Sequence, residues 1–369
     1  MTTRIRRGAG AVVAALLILA TQVGAAVQPP ELEVEVHELE NGLRVILHQD
    51  DSVPVVNLQL RYHVGSKNET AGRSGFAHLF EHMMFQGSES LGPREHSEYI
   101  QSVGGRYNAG TSFDYTIYWQ TFPSNHLERV IWMEADRLSS LVVQDEKFKA
   151  QRDVVKEERR VRYENPPFGR LAEVVFDAVY KVHPYRITPI GTMDDLNAAE
   201  IEDVQAFHKQ FYVPNNATMV IAGDFDPQQA LAWIEEYFGS IPRGEKILRQ
   251  HPQEPRQEGE RRVVEYDGNA PLPAVILAYH VPEDGHADIY PLQVAGNILS
   301  AGQSSRLYRK LVYEQQIALQ AAGQALTLDD PGLFFYFAIM NQGNTAEEGE
   351  RSLIEEVERI KSEAVSEEE

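Results

Sequence analysis

The chain has no cysteine among its 369 residues. That excludes disulfides and thiolate metal ligands, so its domains must be held by core packing and any metal site must draw on histidine and carboxylate. Basic residues are scarce as well: 34 lysines and arginines face 55 acidic residues, for a net charge of -21. Nucleic acid and anionic lipid would be repelled, whereas a polypeptide of neutral or basic character is not excluded by such a surface. A membrane-spanning run is missing too. The apolar stretch from Ala11 to Ala20 is about half the twenty or so residues that a span requires. It follows Arg4, Arg6 and Arg7 and leads into small residues ending at Ala25 or Ala26, the pattern of a secretory signal peptide over residues 1–26. The expectation is export, most simply to the periplasm, with no membrane attachment after cleavage.

With 43% hydrophobic residues, the remainder can bury a core in each of two domains. Alternating apolar and polar residues on both sides of Asn41-Gly42 predict a hairpin, and Val53 to Val64 a third strand. Apolar residues at 76, 79, 80, 83 and 84 have helical spacing, with Ser74 as the expected N-cap and Gly87 as the stop. A short helix in "HSEYIQSVGG", two strands turning near Phe113-Asp114, and helices over Asn125 to Val142 and Asp145 to Tyr163 follow. The strand "TMVIAGDFD" and the helix "PQQALAWIEEYF" complete a unit over 31–245. The mixture predicts an α+β fold. Residues 246–260 are polar and proline-punctuated and read as a linker. Beyond it the sequence echoes its first half: "LQLRYHV" at Leu58 to Val64 reappears as "VILAYHV" at Val275 to Val281. In that register His78, Glu81 and His82 fall opposite Ala295, Ile298 and Leu299, so the second unit, 261–369, is expected to be chemically silent and, being much shorter, incomplete. It ends in a charged helix.

The stretch "HLFEH", His78 to His82, carries two of the chain's 12 histidines. Positions i and i+4 of a helix share a face, so both imidazoles can reach one small cation, and zinc accepts them while leaving a position open for chemistry. Glu81 sits on the edge of that face, placed to take a proton from water rather than to bind the ion. The motif lies among Phe76, Phe80, Met83 and Met84, where a pair of imidazoles without a ligand would be costly to bury. Catalytic zinc usually has three protein ligands, and the helix "DEKFKAQRDVVKEERRVRY" offers Glu157 and Glu158, between which spacing does not choose.

H-x-x-E-H followed by a glutamate within "QRDVVKEERR" closely resembles the pitrilysin-like zinc peptidases. The resemblance covers nearly the whole chain after the signal segment. It implies tandem homologous α+β domains, each a mainly antiparallel sheet packed by helices, with one zinc ion per chain and a peptide substrate. Carried over residue by residue, it selects Glu158 as the third ligand beside His78 and His82, and makes Glu81 the base. Gln151 stands where the family has a second glutamate behind the ligands; an amide can hydrogen-bond there but not supply charge. The family binds substrate as an added strand, which points to Asn108 and Ala109 as backbone contacts. It also places an Arg/Tyr pair near the substrate in the half without zinc, for which no match is found; Arg306 and Tyr308 read as structural. Such proteins assemble as homodimers or with a related subunit.

The expected function is a zinc endopeptidase acting on extended polypeptide. Two other readings remain: a non-catalytic peptide-binding or assembly subunit of the same fold, which would typically lack the zinc residues, and a zinc hydrolase acting on a small molecule.

Overall fold

The computed structural model describes residues 32–366; the expected signal peptide lies outside them. The Asn41-Gly42 hairpin forms as the alternation predicts. β1 (Glu35–Glu38) pairs antiparallel with β2 (Arg44–Gln49), and Gly42 takes the positive φ of 87° that the turn needs. β3 is Val55–Tyr62, α1 Phe76–Met83, α2 Glu95–Ser102, β4 Arg106–Thr111, and β5 Thr116–Pro123. α3 (Leu127–Ser140) and α4 (Asp145–Arg159) follow, the latter running into a π-helical turn at Arg160–Glu164. Then come α5 (Leu171–Val179), α6 (Met193–Ala198), α7 (Ile201–Phe211), β6 (Ala217–Gly223) and α8 (Pro227–Phe238). The first sheet has the order β1-β2-β6-β3-β5-β4. Every neighbouring pair is antiparallel except β2 and β6.

Burial alternates strictly along β5, and in β3 Val56, Leu58, Leu60 and Tyr62 all face inward. This period of two turns one side chain in every pair toward the helices. The core joins those residues to Phe76, Leu79, Phe80 and Met83 of α1, Val130 and Ile131 of α3, and Ile234 and Phe238 of α8. At about 2 kcal/mol for each fully buried large apolar side chain, this packing, rather than the polar contacts, accounts for most of the stabilisation of the first layer.

Residues 241–273 contain no regular element. The expected linker is nevertheless tied down. Arg249 donates to His63 O and Asn216 Oδ1, Glu254 accepts from the backbone N–H groups of Lys181, Val182 and His183, and Arg261 donates to Ala178 O. Beyond it, β7 (Ala274–His280), α9 (Ile289–Ser300), β8 (Ala318–Leu326), β9 (Leu333–Met340) and α10 (Ala346–Ser362) form a second layer with sheet order β7-β9-β8. Its three antiparallel strands repeat the arrangement of β3, β5 and β4, as the sequence echo predicts. Ala295, Ile298 and Leu299 lie on α9, the counterpart of α1. Arg306 is buried, and Tyr308 opens a π-helical stretch, Tyr308–Glu314. Among the described residues no helix is long and apolar enough to cross a membrane.

The two layers meet where the β8–β9 turn touches the β4–β5 turn. Phe113, Phe176, Tyr180, Tyr185, Leu328 and Leu333 pack together there. At their centre Lys67, 5% exposed along its side chain, reaches Asp114 at 2.7 Å, Asp329 at 3.1 Å and Asp330 at 3.3 Å. Tyr185 donates to Asp114, and Asp330 N donates to the Tyr185 hydroxyl. A His63 hydrogen bond, with Lys67 beside it, holds the Asp329 carboxyl well below the usual carboxylate range.

Candidate active site

Helix α1 presents the motif. His78 and His82 stand one turn apart with ring centroids 4.9 Å from each other. Both turn Nε2 toward Glu158 on α4: Glu158 Oε2 lies 3.6 Å from His78 and 3.3 Å from His82. The three residues each offer one ligand atom, and these lie within 4.8 Å of one another. Four-coordinate zinc with bonds of about 2.1 Å places its ligands about 3.4 Å apart, so two of these separations already match the ion. The donor set is also right for it, being two nitrogens and one carboxylate oxygen.

The protonation states suit a metal. Burial, helped by His82, pushes the His78 imidazole down to about 4, which keeps it in the neutral form a ligand requires. A hydrogen bond from His82 holds the Glu158 carboxyl below its ordinary value. Arg162, one turn further along, meets the other oxygen, Oε1, at 2.8 Å, and so leaves Oε2 to the histidine side. Glu157 points elsewhere: its side chain is 62% exposed and pairs with Arg160. Of the two glutamates that spacing left open, Glu158 is the one that lies with the histidines.

Glu81 is outside the ligand cluster and beside it. Its Oε2 accepts a 2.6 Å hydrogen bond from Thr111 Oγ1, at the end of β4. Burial raises the Glu81 carboxyl above its ordinary value, and the Thr111 bond acts the other way. β4 pairs with β5 alone, so its second edge is unpaired among the described residues. Asn108 and Ala109 lie on that strand, Asn108 exposed and Ala109 half-buried. Gln151 is half-buried on α4, two turns before Glu158.

The start of α1 departs from expectation. Ser74 is not the cap: its N–H and hydroxyl both go to Asp195. The N-cap is Gly75, at φ 86°, and the acceptor for the first turn is Glu69 from the preceding loop. The helix ends at Met83, before Gly87, whose own φ of 91° serves the next turn. Thr111, Arg162 and Glu69 all escaped the sequence reading. Thr111 and Glu69 act across chain separations that no local pattern encodes. Arg162 was visible as the i+4 neighbour of Glu158.

Two family models cover almost all of the described residues. Insulinase (Peptidase family M16) matches residues 44–192, and Peptidase M16 inactive domain matches residues 198–369. Zinc protease PqqE of Helicobacter pylori is 33% identical over 326 residues, which is 88% of this chain and 73% of that one. The chain belongs to peptidase family M16. Probable zinc protease PqqL of Escherichia coli is 30% identical over 239 residues, 62% of this chain and 25% of that longer one. Among solved structures, a protease from Helicobacter pylori superposes with a TM-score of 0.88 at 32% identity, covering 91% of this chain and 82% of that one. An M16 inactive domain from Pseudomonas fluorescens shares the fold at 16% identity, with a TM-score of 0.80. Membership in the family, together with an intact His/His/Glu cluster, supports a zinc-dependent peptidase with one metal site and a peptide or protein substrate, over a non-catalytic subunit.

Proposed function

We propose that this M16 peptidase is an endopeptidase for extended or unfolded polypeptide, in which His78, His82 and Glu158 hold the zinc ion and Glu81 is the general base. The observation that carries the reading is the meeting of three ligand atoms, a separate carboxylate and a free strand edge at one place. Zinc, when bound, supplies Lewis acidity, bringing the pKa of a nearby water to about 7 and polarising a carbonyl. Glu81 takes the proton from the attacking water at Oε1, the oxygen that Thr111 does not engage, and passes it to the amine that leaves. Arg162 keeps the Glu158 carboxylate turned. Asn108 and Ala109 offer backbone groups along β4 to a substrate added as a further strand, which reads main chain more than side chain. Gln151, two turns before Glu158 on the same helix, brings an amide where the family has a charge.

We assign residues 31–245 to the catalytic domain, 246–260 to the linker and 261–369 to the silent one. In support, every strand of the first sheet and α8 lie before residue 245, although the inactive-domain model begins at 198. A periplasmic setting is supported by the pattern of residues 1–26 and by the solved PqqL of Escherichia coli, which is described as a periplasmic protease. The Arg/Tyr pair for which no match is found would come from residues beyond Glu369 or from a related subunit.

The deciding experiment is cleavage of an unstructured peptide by the purified, zinc-supplemented chain, with Glu81→Gln alongside and the metal content of both measured. The expected result is cleavage by the first, a loss of about 10²- to 10⁴-fold in the second, and equal zinc in both. Zinc loss in the variant would make Glu81 a ligand and overturn the assignment. Hydrolysis of small esters in place of peptides would overturn the substrate class.

A further inference from the structure

Helix α1 begins on a glycine, which has no side chain to accept the N–H groups of its first turn. Gly75, Phe76 and Ala77 are all buried, so water does not satisfy them. Glu69 does. Its Oε2 accepts from Gly75 N at 3.0 Å and its Oε1 from Ala77 N at 2.8 Å, and the Phe76 N–H bonds to the same carboxylate. Ala77 immediately precedes His78. The carboxylate therefore grips α1 along one turn, and Glu81 and His82 project from the next.

The same point is tied to the other ligand-bearing helix. Gly191, at φ 72°, packs so closely on Gly75 that a Cβ there would collide with the Gly75 backbone nitrogen. Arg159, the neighbour of Glu158 on α4, donates to Gly191 O at 2.7 Å and is itself paired with Glu173. Asp195 at the start of α6 fixes Ser74 from a third side. The start of α1 and the end of α4 are thus referred to one small cluster of backbone.

We propose that Glu69 is a positioning residue for the peptidase: by fixing where α1 begins and how it is rotated, it sets His78, Glu81 and His82 against Glu158. The inference rests on the zinc-site assignment above. Burial, with Asp195 nearby, pushes the Glu69 carboxyl up to about 8 despite the three N–H groups that favour its charge.

The test compares Glu69→Gln and Glu69→Ala with the wild-type chain in three measurements. These are zinc affinity by chelator competition, the visible spectrum of the cobalt(II)-substituted protein, and kcat and KM on an unstructured peptide at full metal occupancy. Glu69→Ala should bind zinc about 10- to 100-fold more weakly, with an altered cobalt spectrum and a kcat lowered to a similar degree. KM should stay within about twofold because β4 is untouched, and Glu69→Gln, which keeps one acceptor oxygen, should fall between Ala and wild type. Both variants showing a lower Tm but wild-type zinc affinity, cobalt spectrum and kcat would overturn the proposal. If Glu69→Ala does not fold, the Gln variant decides by the same measurements. A wild-type chain that binds zinc yet cleaves no peptide would defeat the peptidase assignment separately, and metal affinity and cobalt spectrum would then decide on Glu69.

Discussion

Glu157 and Glu158 are adjacent in sequence and point in different directions. One pairs with Arg160 in solvent; the other lies within 3.6 Å of both histidines. Glu158→Ala should therefore abolish tight zinc binding while Glu157→Ala leaves it within about twofold, read by metal content after dialysis; the reverse would place the ligand one residue earlier. Thr111 tests the base in the same way. Its hydroxyl is the hydrogen-bond donor given to Glu81, and a bond to a charged group is worth about 1.5 kcal/mol, so Thr111→Val should lower kcat about tenfold with zinc content unchanged. Of these residues, His78, Glu81 and His82 were legible from one helix and Glu158 only through the family resemblance, whereas Thr111 was not legible at all. The i, i+4 spacing of His78 and His82 is a property of the helix itself. Thr111 reaches Glu81 because β4 is laid beside α1, and that juxtaposition belongs to the packed sheet.

The elements themselves were read from periodicity, which is why the helices and strands fall close to where the pattern puts them. The parallel pairing of β2 with β6 was not legible, since it depends on a chain return across more than 160 residues rather than on alternation. Nor was the start of α1, where Ser74 has the right chemistry for a cap and is claimed by Asp195 instead. Packing between elements also creates buried histidines. His208 on α7 stacks on Phe80 of α1 with ring centroids 5.1 Å apart, and burial pushes it down to about 4. Burial does the same to His96, which bonds Gln120. Both start from the ordinary 6.5, so between about 4 and 6.5 the unfolded chain binds more protons than the folded one. Stability should then be full above that window and fall as the pH drops through it. A Tm series from pH 7.5 to 5 checks this, and His208→Phe should shrink the acid loss; an unchanged slope would mean that His208 already titrates normally in the fold.

Across the whole molecule the second layer has no metal residues at the positions matching His78, Glu81 and His82, yet it places Asp329 and Asp330 on the lysine of the first. Lys67 and Asp114 are almost fully enclosed, and removing one partner of such a group leaves charge buried without compensation. Lys67→Met should cost about 3–5 kcal/mol in urea unfolding, with Asp114→Asn in the same chain recovering part of it. Independent effects of the two changes would mean that the contact is only peripheral. The echo of Leu58 to Val64 at Val275 to Val281 made the second layer foreseeable, because strand patterns survive in sequence. The contact between layers was not, because Lys67, Asp114 and Asp329 come from three turns whose composition reads simply as loop.

The loop that carries Lys67 runs from Gly65 to Glu69, with the second layer holding one end and α1 the other. A copy of the domain relieved of its metal is therefore not free to drift. Substitutions at the tip of the β8–β9 turn would be felt in the first copy, at the helix that carries His78, Glu81 and His82, so a half with no metal residues of its own still has a hand in where those of the other half stand.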